Sequence, residues 1–275
     1  QRLDNAIDNL QPEWSKFKNE INENLAQIAV YPEQFKEAND PDDTLSILRA
    51  IDHCYNRGGG NVVIADNFYT SDLLVIKNNV NLDFKENGRI TYTEISGSVV
   101  TFERFGKATN VNIVCSDVNY NDRAILFSTE YTYSKTFNYI NYVRLYKPYN
   151  PETYAIGISF IADSSHQQSG YWGINIENCT IDGFNSVVEM ETFNEGWING
   201  NFIGKVTAYN FNYFITLKKS QNSRGIDNNY LYSLAAQVNG HSKIMIRDPV
   251  STNIYDGCKW YDIEKFSNAE FGFAR

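Results

Sequence analysis

Hydrophobic residues near the N-terminus follow a heptad pattern. They recur at spacings of three, four and, across Asn24, seven residues, at Leu3, Ile7, Leu10, Trp14, Phe17, Ile21 and Ile28. A narrow stripe of this kind is typical of a helix that joins a coiled coil. Because Pro12 suits the first turn of a helix, the pattern predicts a short helix followed by a second from about Pro12 to Ala29.

Such a stripe must pack on something, because it would otherwise expose large apolar side chains to water. The favoured partner is another copy of the chain, and the alternative is the rest of this chain. We therefore predict that residues 1–31 form a helical stalk for trimerisation and attachment. The predicted contacts between copies are Leu10, Trp14, Phe17, Ile21 and Ile28.

A second helix is predicted near residues 43–56. Asp40-Pro41-Asp42-Asp43-Thr44 supplies capping residues and first-turn acids. Leu45, Leu48, Ile51 and either Cys54 or Tyr55 follow on one face. The run Arg57-Gly58-Gly59-Gly60 should then end this helix.

The rest of the chain consists of short apolar or alternating runs separated by Asn, Gly, Asp or Ser, which is typical of β-strands. We predict Asn67-Phe68-Tyr69 to be a turn between two of them. The predicted strands lie near 61–65, 73–76, 80–84, 99–102, 111–115, 124–127, 142–146, 156–160, 174–177, 187–190, 197–199, 214–217 and 244–246.

A loose repeat runs through these strands. Val80, Val111, Val143 and Ile174 begin similar tripeptides 31, 32 and 31 residues apart, and later equivalents lie near Ile198 and Ile226. A period of this size, built from short strands and turns, favours a solenoid over the alternative of an antiparallel sandwich. Asn178, Asn201 and Asn228 fall near the turns, where Asn accepts a left-handed backbone and can bond to a like residue one coil away.

The run Asp42-Asp43-Thr44-Leu45-Ser46-Ile47-Leu48-Arg49-Ala50-Ile51, then Gly58-Gly59-Gly60-Asn61-Val62-Val63-Ile64 and Tyr69, resembles the opening of pectate-lyase-like right-handed β-helix proteins. That resemblance implies an all-β, right-handed parallel β-helix over residues 32–275, with a helix that caps the first coil. With its predicted stalk and its Asn-rich, Tyr-rich coils, the chain is most similar to phage tail spikes, appendages and baseplate fibres. These are typically trimers.

The composition of the chain limits the kinds of molecule that it is expected to bind. A net charge of −9 and no basic run argue against nucleic acid. We find no apolar stretch long enough to insert into a membrane. The four cysteines lie far apart and the histidines lack metal-ligand spacing, so we expect buried free thiols, no metal and no cofactor. Because the chain opens with Gln1 rather than Met, we expect it to be a processed or excised part of a longer protein.

Candidate chemistry centres on Glu189 and Glu191, which alternate on one predicted strand, with Asp182 one turn earlier. If the protein is an enzyme, these carboxyl groups are the predicted catalytic residues, since glycoside hydrolysis uses a carboxyl pair. The simpler interpretation is that both glutamates form an ordinary solvated face. Aromatic residues predicted to stack on sugar rings are Tyr171, Trp172, Trp197, Tyr209 and Tyr213.

These observations predict a trimeric component of a phage tail or baseplate, located on the virion and outside cells. It should contact host-surface glycan and neighbouring virion proteins. The alternative is a depolymerase, a glycoside hydrolase or lyase acting on capsule or cell-wall glycan. The family hydrolases would show paired Asp motifs, Gly-His-Gly and Arg-x-Lys, and their absence here argues against a mechanism like that of plant pectinases. The chain has room for only about seven or eight coils, which is short for a depolymerase groove and favours a binding or structural role.

Overall fold

The computed structural model describes residues 29–131, 138–165, 170–237, 244–247, 254–256 and 259–260. One helix, α1 (Thr44–Asn56), and one 3₁₀ turn (Pro32–Phe35) lie among these residues, and every strand pairs in parallel with its neighbours. The strands stack coil upon coil as a right-handed parallel β-helix. The fold predicted from the resemblance is therefore confirmed.

The strands of the first half are short. They are β1 (Ala29–Val30), β2 (Gly60–Ile64), β3 (Asn67–Thr70), β4 (Leu74–Ile76), β5 (Val80–Phe84), β6 (Arg89–Tyr92), β7 (Val100–Phe102), β8 (Lys107–Thr109), β9 (Asn112–Cys115) and β10 (Arg123–Ser128).

The strands of the second half differ in length. They are β11 (Tyr139–Tyr146), β12 (Ile156–Asp163), β13 (Gly170–Tyr171), β14 (Asn175–Asp182), β15 (Ser186–Phe193), β16 (Trp197–Asn199), β17 (Phe202–Tyr209), β18 (Tyr213–Lys219), β19 (Gly225–Asp227), β20 (Tyr230–Gln237), β21 (Ile244–Arg247), β22 (Ile254–Asp256) and β23 (Lys259–Trp260). Seven strands between β11 and β20 are seven or eight residues long, and the others are short.

Three sheets form the walls of the solenoid. The first runs β1-β2-β5-β8-β11-β14-β17-β20-β22, with β3, β6, β9 and β23 attached at its sides. The second runs β4-β7-β10-β12-β15-β18-β21, and the third is the small β13-β16-β19 sheet. Each coil therefore passes from one wall to another before it rises to the next level.

The core is a set of in-register apolar columns between the walls. Phe102, Phe127 and Phe160 stack through successive coils of the second sheet, with ring centroids 5.3 and 5.2 Å apart. Met190 and Leu217 continue this column on β15 and β18. Stacking identical positions buries each coil on its neighbours, which is the main stabilising contribution in a solenoid.

Helix α1 covers the first coil. Ile47, Ala50, Ile51 and Cys54 are buried, but Leu45, predicted to share that face, is 41% exposed. The N-cap residue of the helix is Asp43, and the carboxylate of Asp42 just before it accepts a hydrogen bond from the Thr44 amide at 2.8 Å.

A column of left-handed residues bends the first sheet. Asn110, Tyr142, Asn178, Lys205 and Ser233 occupy the same position in successive coils, and all have φ between 53° and 58°. One left-handed residue per coil lets the strand turn a corner while its hydrogen bonds continue on both sides.

Asparagines join neighbouring coils, as predicted. Asn178 donates to the side chain of Asn141 at 2.6 Å, and buried Asn201 donates to Asn229 at 2.9 Å. Asn178 and Asn228 have left-handed backbones.

Two sequence predictions need correction. Asn67–Thr70 is strand β3, because it pairs with β6 instead of turning. The repeat had the right period, but its register fails at the step to Ile174, since Val143 pairs with Cys179 and not with Ile174. Val111 and Val143 are equivalent, because the residues that follow them, Asn112 and Arg144, pair in register, and so are Ile198 and Ile226 on β16 and β19.

The predicted stalk residues Leu10, Trp14, Phe17, Ile21 and Ile28 lie outside the described residues. Ala29, expected to end the stalk helix, is instead in β1 and pairs with Asn61.

Candidate functional site

The outer face of the second sheet carries a row of polar side chains that is almost completely buried. Register places Ser159 on β12, Glu189 on β15 and Thr216 on β18 side by side. Glu189 is 1% exposed, and its two neighbours are also buried. A carboxyl group buried on the outside of a sheet is unusual, because burial without full pairing is unfavourable.

Two side chains hold one oxygen of the Glu189 carboxyl group. Oε2 accepts a hydrogen bond from the Tyr154 hydroxyl at 2.7 Å and lies 2.9 Å from Nζ of Lys218. The Lys218 ammonium also lies 4.5 Å from the centre of the Tyr154 ring. Tyr154, itself 46% exposed, and Lys218 therefore cover Glu189 from the solvent side.

The other oxygen of Glu189 is left unsatisfied. Oε1 is buried and, within the residues that the structure describes, has no hydrogen-bond partner. Buried polar atoms are nearly always paired, so the unpaired oxygen is an energetically unfavourable feature of this cluster.

Glu191 lies beside this cluster, two residues further along β15. It pairs in register with Lys218 of β18 and Ile161 of β12. Arg123, at the start of β10, donates to the Ser159 hydroxyl at 3.2 Å. A second carboxyl group and two cationic side chains therefore surround Glu189.

The surroundings favour the protonated form of Glu189. Burial raises its pKa to about 7, the negative charge of Glu191 adds to the rise, and Arg123 opposes it. The Lys218 ammonium also favours the ionised form, by its charge. The pKa of Glu191 is raised as well, chiefly by burial and against the effect of Arg123.

Two carboxyl groups on one strand face, one of them with a pKa near neutral pH, can donate and accept protons. Alternate residues of a strand are spaced about 6.5–7 Å apart on one face. Inverting glycosidases place an acid and a base about 6.5–9.5 Å apart. Glu189, with a pKa near neutral pH, suits the acid, and Glu191 suits the base.

The structure changes the interpretation of the predicted catalytic residues. The solvated-face interpretation is wrong for Glu189, because Tyr154 and Lys218 cover it. Asp182 is not part of the cluster: it ends β14 in the first sheet, where its carboxylate accepts a hydrogen bond from Asn210 at 2.8 Å.

The predicted aromatic residues do not form one platform. Tyr213, at the start of β18, shares a sheet with Glu189, whereas Tyr209 lies in the first sheet beside Asp182. Trp197 is on β16 of the third sheet, and Trp172 follows β13. Tyr171 is described through its backbone, which pairs with Ile198.

Sequence reasoning missed Arg123, Tyr154 and Lys218. Each is close to Glu189 only because coils of different length stack in register, with Ser159, Glu189 and Thr216 separated by 30 and 27 residues. Placing these three residues beside Glu189 from the sequence would have required the length of each coil. The heptad and tripeptide patterns do not give those lengths.

In the described part of the chain, no group of three or more His, Cys, Asp or Glu side chains is arranged to hold a metal ion. No helix among the same residues has the length and apolar character needed to cross a membrane. Cys54, Cys115 and Cys179 are buried free thiols, as predicted, and Cys258 lies outside the described residues.

No protein-family model matches the sequence, and no curated protein matches it either. Solved structures do share its shape. A candidate glycosyl hydrolase from Parabacteroides merdae is 12% identical, with a TM-score of 0.44, and the match covers 88% of this chain and 100% of that one. The likeness is one of fold.

Two viral proteins are also similar. The tailspike of Escherichia coli phage HK620, solved with a pentasaccharide, is 11% identical with a TM-score of 0.38; the match covers 88% of this chain and 64% of the tailspike. The ORF18 protein of Geobacillus virus E2 is 14% identical with a TM-score of 0.33, and the match covers 96% of this chain and 62% of that protein. This chain thus spans under two thirds of either viral protein.

Proposed function

We propose that this chain is a glycan-binding component of a phage tail or baseplate, and that the face around Glu189 contacts a host-surface polysaccharide. The observation that carries this proposal is the buried Glu189 carboxyl group, with one oxygen held by Tyr154 and Lys218 and the other unpaired. A sugar hydroxyl that replaced the covering side chains would donate to Oε1. The heptad stripe at the N-terminus supports assembly as a trimer on the virion.

Binding is tested with intact polymer. Purified capsule and wall polysaccharides from a panel of bacteria are passed over the immobilised protein. We expect at least one to be retained, and we expect Lys218→Met to weaken retention. Lys205→Met, which removes an exposed lysine on the first sheet, is the matched control. Retention of no polymer, or equal retention by all three proteins, would contradict the proposal.

A second candidate function is hydrolysis of the same glycan. The specific observation in its favour is that Glu189 has a pKa of about 7 and shares a strand face with Glu191. In that reaction Glu189 donates a proton to the glycosidic oxygen as the bond to the anomeric carbon breaks, and Glu191 accepts a proton from the attacking water.

One assay distinguishes binding from hydrolysis. New reducing ends from a retained polymer would show hydrolysis, and Glu189→Gln should then abolish product while the polymer is still retained. Retention without product in the wild-type protein would leave binding alone. Sedimentation of the full chain tests the trimer.

A further inference from the structure

We infer that a second saccharide-binding site lies in the cleft at the bend of the first sheet, on a different sheet from Glu189. The cleft has a volume of about 360 Å³. It lies where the longer turn at 85–88 meets the one-residue bend of the following coils. It is lined by Phe84, Lys85, Glu86, Gly88, Asn110, Asn112, Tyr142 and Arg144.

Tyr142 is the first argument for this site. It adopts the left-handed conformation, with φ of 54°, at the position that Asn110 and Asn178 occupy in the adjacent coils. A bulky side chain is unfavourable in that conformation, whereas Asn accepts it readily. Tyr142 is nevertheless 59% exposed, so its ring gains little from packing. The exposed ring therefore presents a flat apolar face at the wall of the cleft.

Arg144 is the second argument. It follows Tyr142 by two residues, and its guanidinium group is exposed. In the described part of the chain it has no hydrogen bond or ion pair through its side chain, although its backbone amide donates to Val111 at 2.7 Å. The Arg144 side chain therefore offers a fork of donors at the wall of the cleft.

The lining as a whole indicates the class of ligand. Charges of both signs are present in Lys85, Glu86 and Arg144, and Lys85 is partly neutralised by an ion pair with Asp83 at 2.5 Å. A strongly anionic or cationic ligand is therefore not favoured. One exposed aromatic face beside amide, guanidinium and carboxylate groups matches a sugar, which has an apolar ring face and hydroxyl groups at its edge.

Hydrogen bonds from asparagine side chains hold the walls of the cleft in place. The Asn141 side chain accepts a hydrogen bond from the Tyr142 amide at 2.9 Å and another from Asn178 at 2.6 Å. Asn112 donates to the Gly88 carbonyl at 3.3 Å and so ties the bend to the longer turn. The volume is at the small end of ligand clefts, roughly 300–1,000 Å³, and suits a short saccharide. In naming a saccharide, this inference rests on the proposed function.

The test uses the full chain and short probes. Saturation-transfer NMR with disaccharides of neutral hexoses, N-acetylhexosamines and hexuronic acids measures binding to the wild type, Tyr142→Asn and Arg144→Gln. We expect at least one probe to bind and each variant to weaken it about tenfold, since a tenfold change matches loss of one stacking or charge-assisted contact.

Ser233→Asn is the matched control, because Ser233 occupies the same bend position outside the cleft with φ of 53°. Both Asn variants should raise the thermal midpoint, but only Tyr142→Asn should lose the probe. Probe binding that Tyr142→Asn and Arg144→Gln leave unchanged, or a wild type that binds no probe, would overturn the inference.

The polymer experiment separates this inference from the proposed function. If Lys218→Met weakens polymer retention and the cleft variants change neither polymer nor probe binding, the Glu189 face stands and the cleft does not. If the wild type retains no polymer but binds a probe that Tyr142→Asn does not bind, the inferred cleft site is supported and the proposed role of the Glu189 face is not.

Discussion

The buried Glu189 carboxyl group should make the protein less stable as pH rises towards 8. In the unfolded chain the pKa of a glutamate is about 4.5, whereas in the folded protein burial raises that of Glu189 to about 7. The folded state therefore holds its proton more tightly. Stability is unaffected below about pH 4.5, falls as pH rises from there to about 7, and stays low above it.

The size of this effect follows from the same values. Each tenfold change in proton affinity corresponds to about 1.4 kcal/mol, so the full difference is about 3 kcal/mol for Glu189. Glu189→Gln keeps the shape and removes the charge. Its free energy of unfolding, relative to the wild type, should therefore rise by up to about 3 kcal/mol between pH 4.5 and pH 8.

The assay is urea unfolding of the wild type and Glu189→Gln at several pH values between 4 and 8. Lys218 is the competing influence, because its ammonium lies 2.9 Å from Oε2 and attracts the ionised form. Should the free energy of unfolding of Glu189→Gln, relative to the wild type, instead fall between pH 4.5 and pH 8, Glu189 is ionised at neutral pH and paired with Lys218. The reasoning that burial dominates would then be refuted.

Three other variants or reagents test the described contacts. Asn201→Ala should lower the free energy of unfolding by about 2–3 kcal/mol in urea titration, because it leaves the buried Asn229 side chain without one of its partners. Gly204→Ala should lower it by about 1–3 kcal/mol, because the new methyl group would fall 2.1 Å from the Tyr232 ring; in Tyr232→Ala the same change should be much milder, and an equal effect would contradict this explanation. Burial raises the pKa of the Cys115 thiol, so iodoacetamide should modify it only after unfolding, as mass spectrometry of the labelled peptide would show.

Local patterns predicted α1 and many of the strands, but they missed β3, β17 and β20 and did not give the alignment of the coils. The short strands and α1 follow from alternation, glycine positions and capping residues. Alignment depends on contacts between distant segments: Val143 stacks on Cys179 because the Asn178 bend follows the Tyr142 bend, and no tripeptide pattern records that.

The candidate site, too, was only partly predictable from the sequence. The spacing of Glu189 and Glu191 on one strand was visible in the sequence, but the burial of Glu189 was not. It depends on Tyr154 and Lys218, which lie 35 and 29 residues away along the chain. Asp182 was close in sequence and yet ends on another sheet, because the turn after β14 carries the chain to a different wall.

The in-register column of bends from Asn110 to Ser233 also fixes the spacing of surface positions along the solenoid axis. Neighbouring coils are about 4.8 Å apart, so each outward position recurs at that interval along the axis. A surface residue exchanged with its counterpart one coil away would shift a contact by one such step and leave the apolar columns untouched. The spacing of ligand contacts on this protein can thus change in steps of one coil while the fold stays the same.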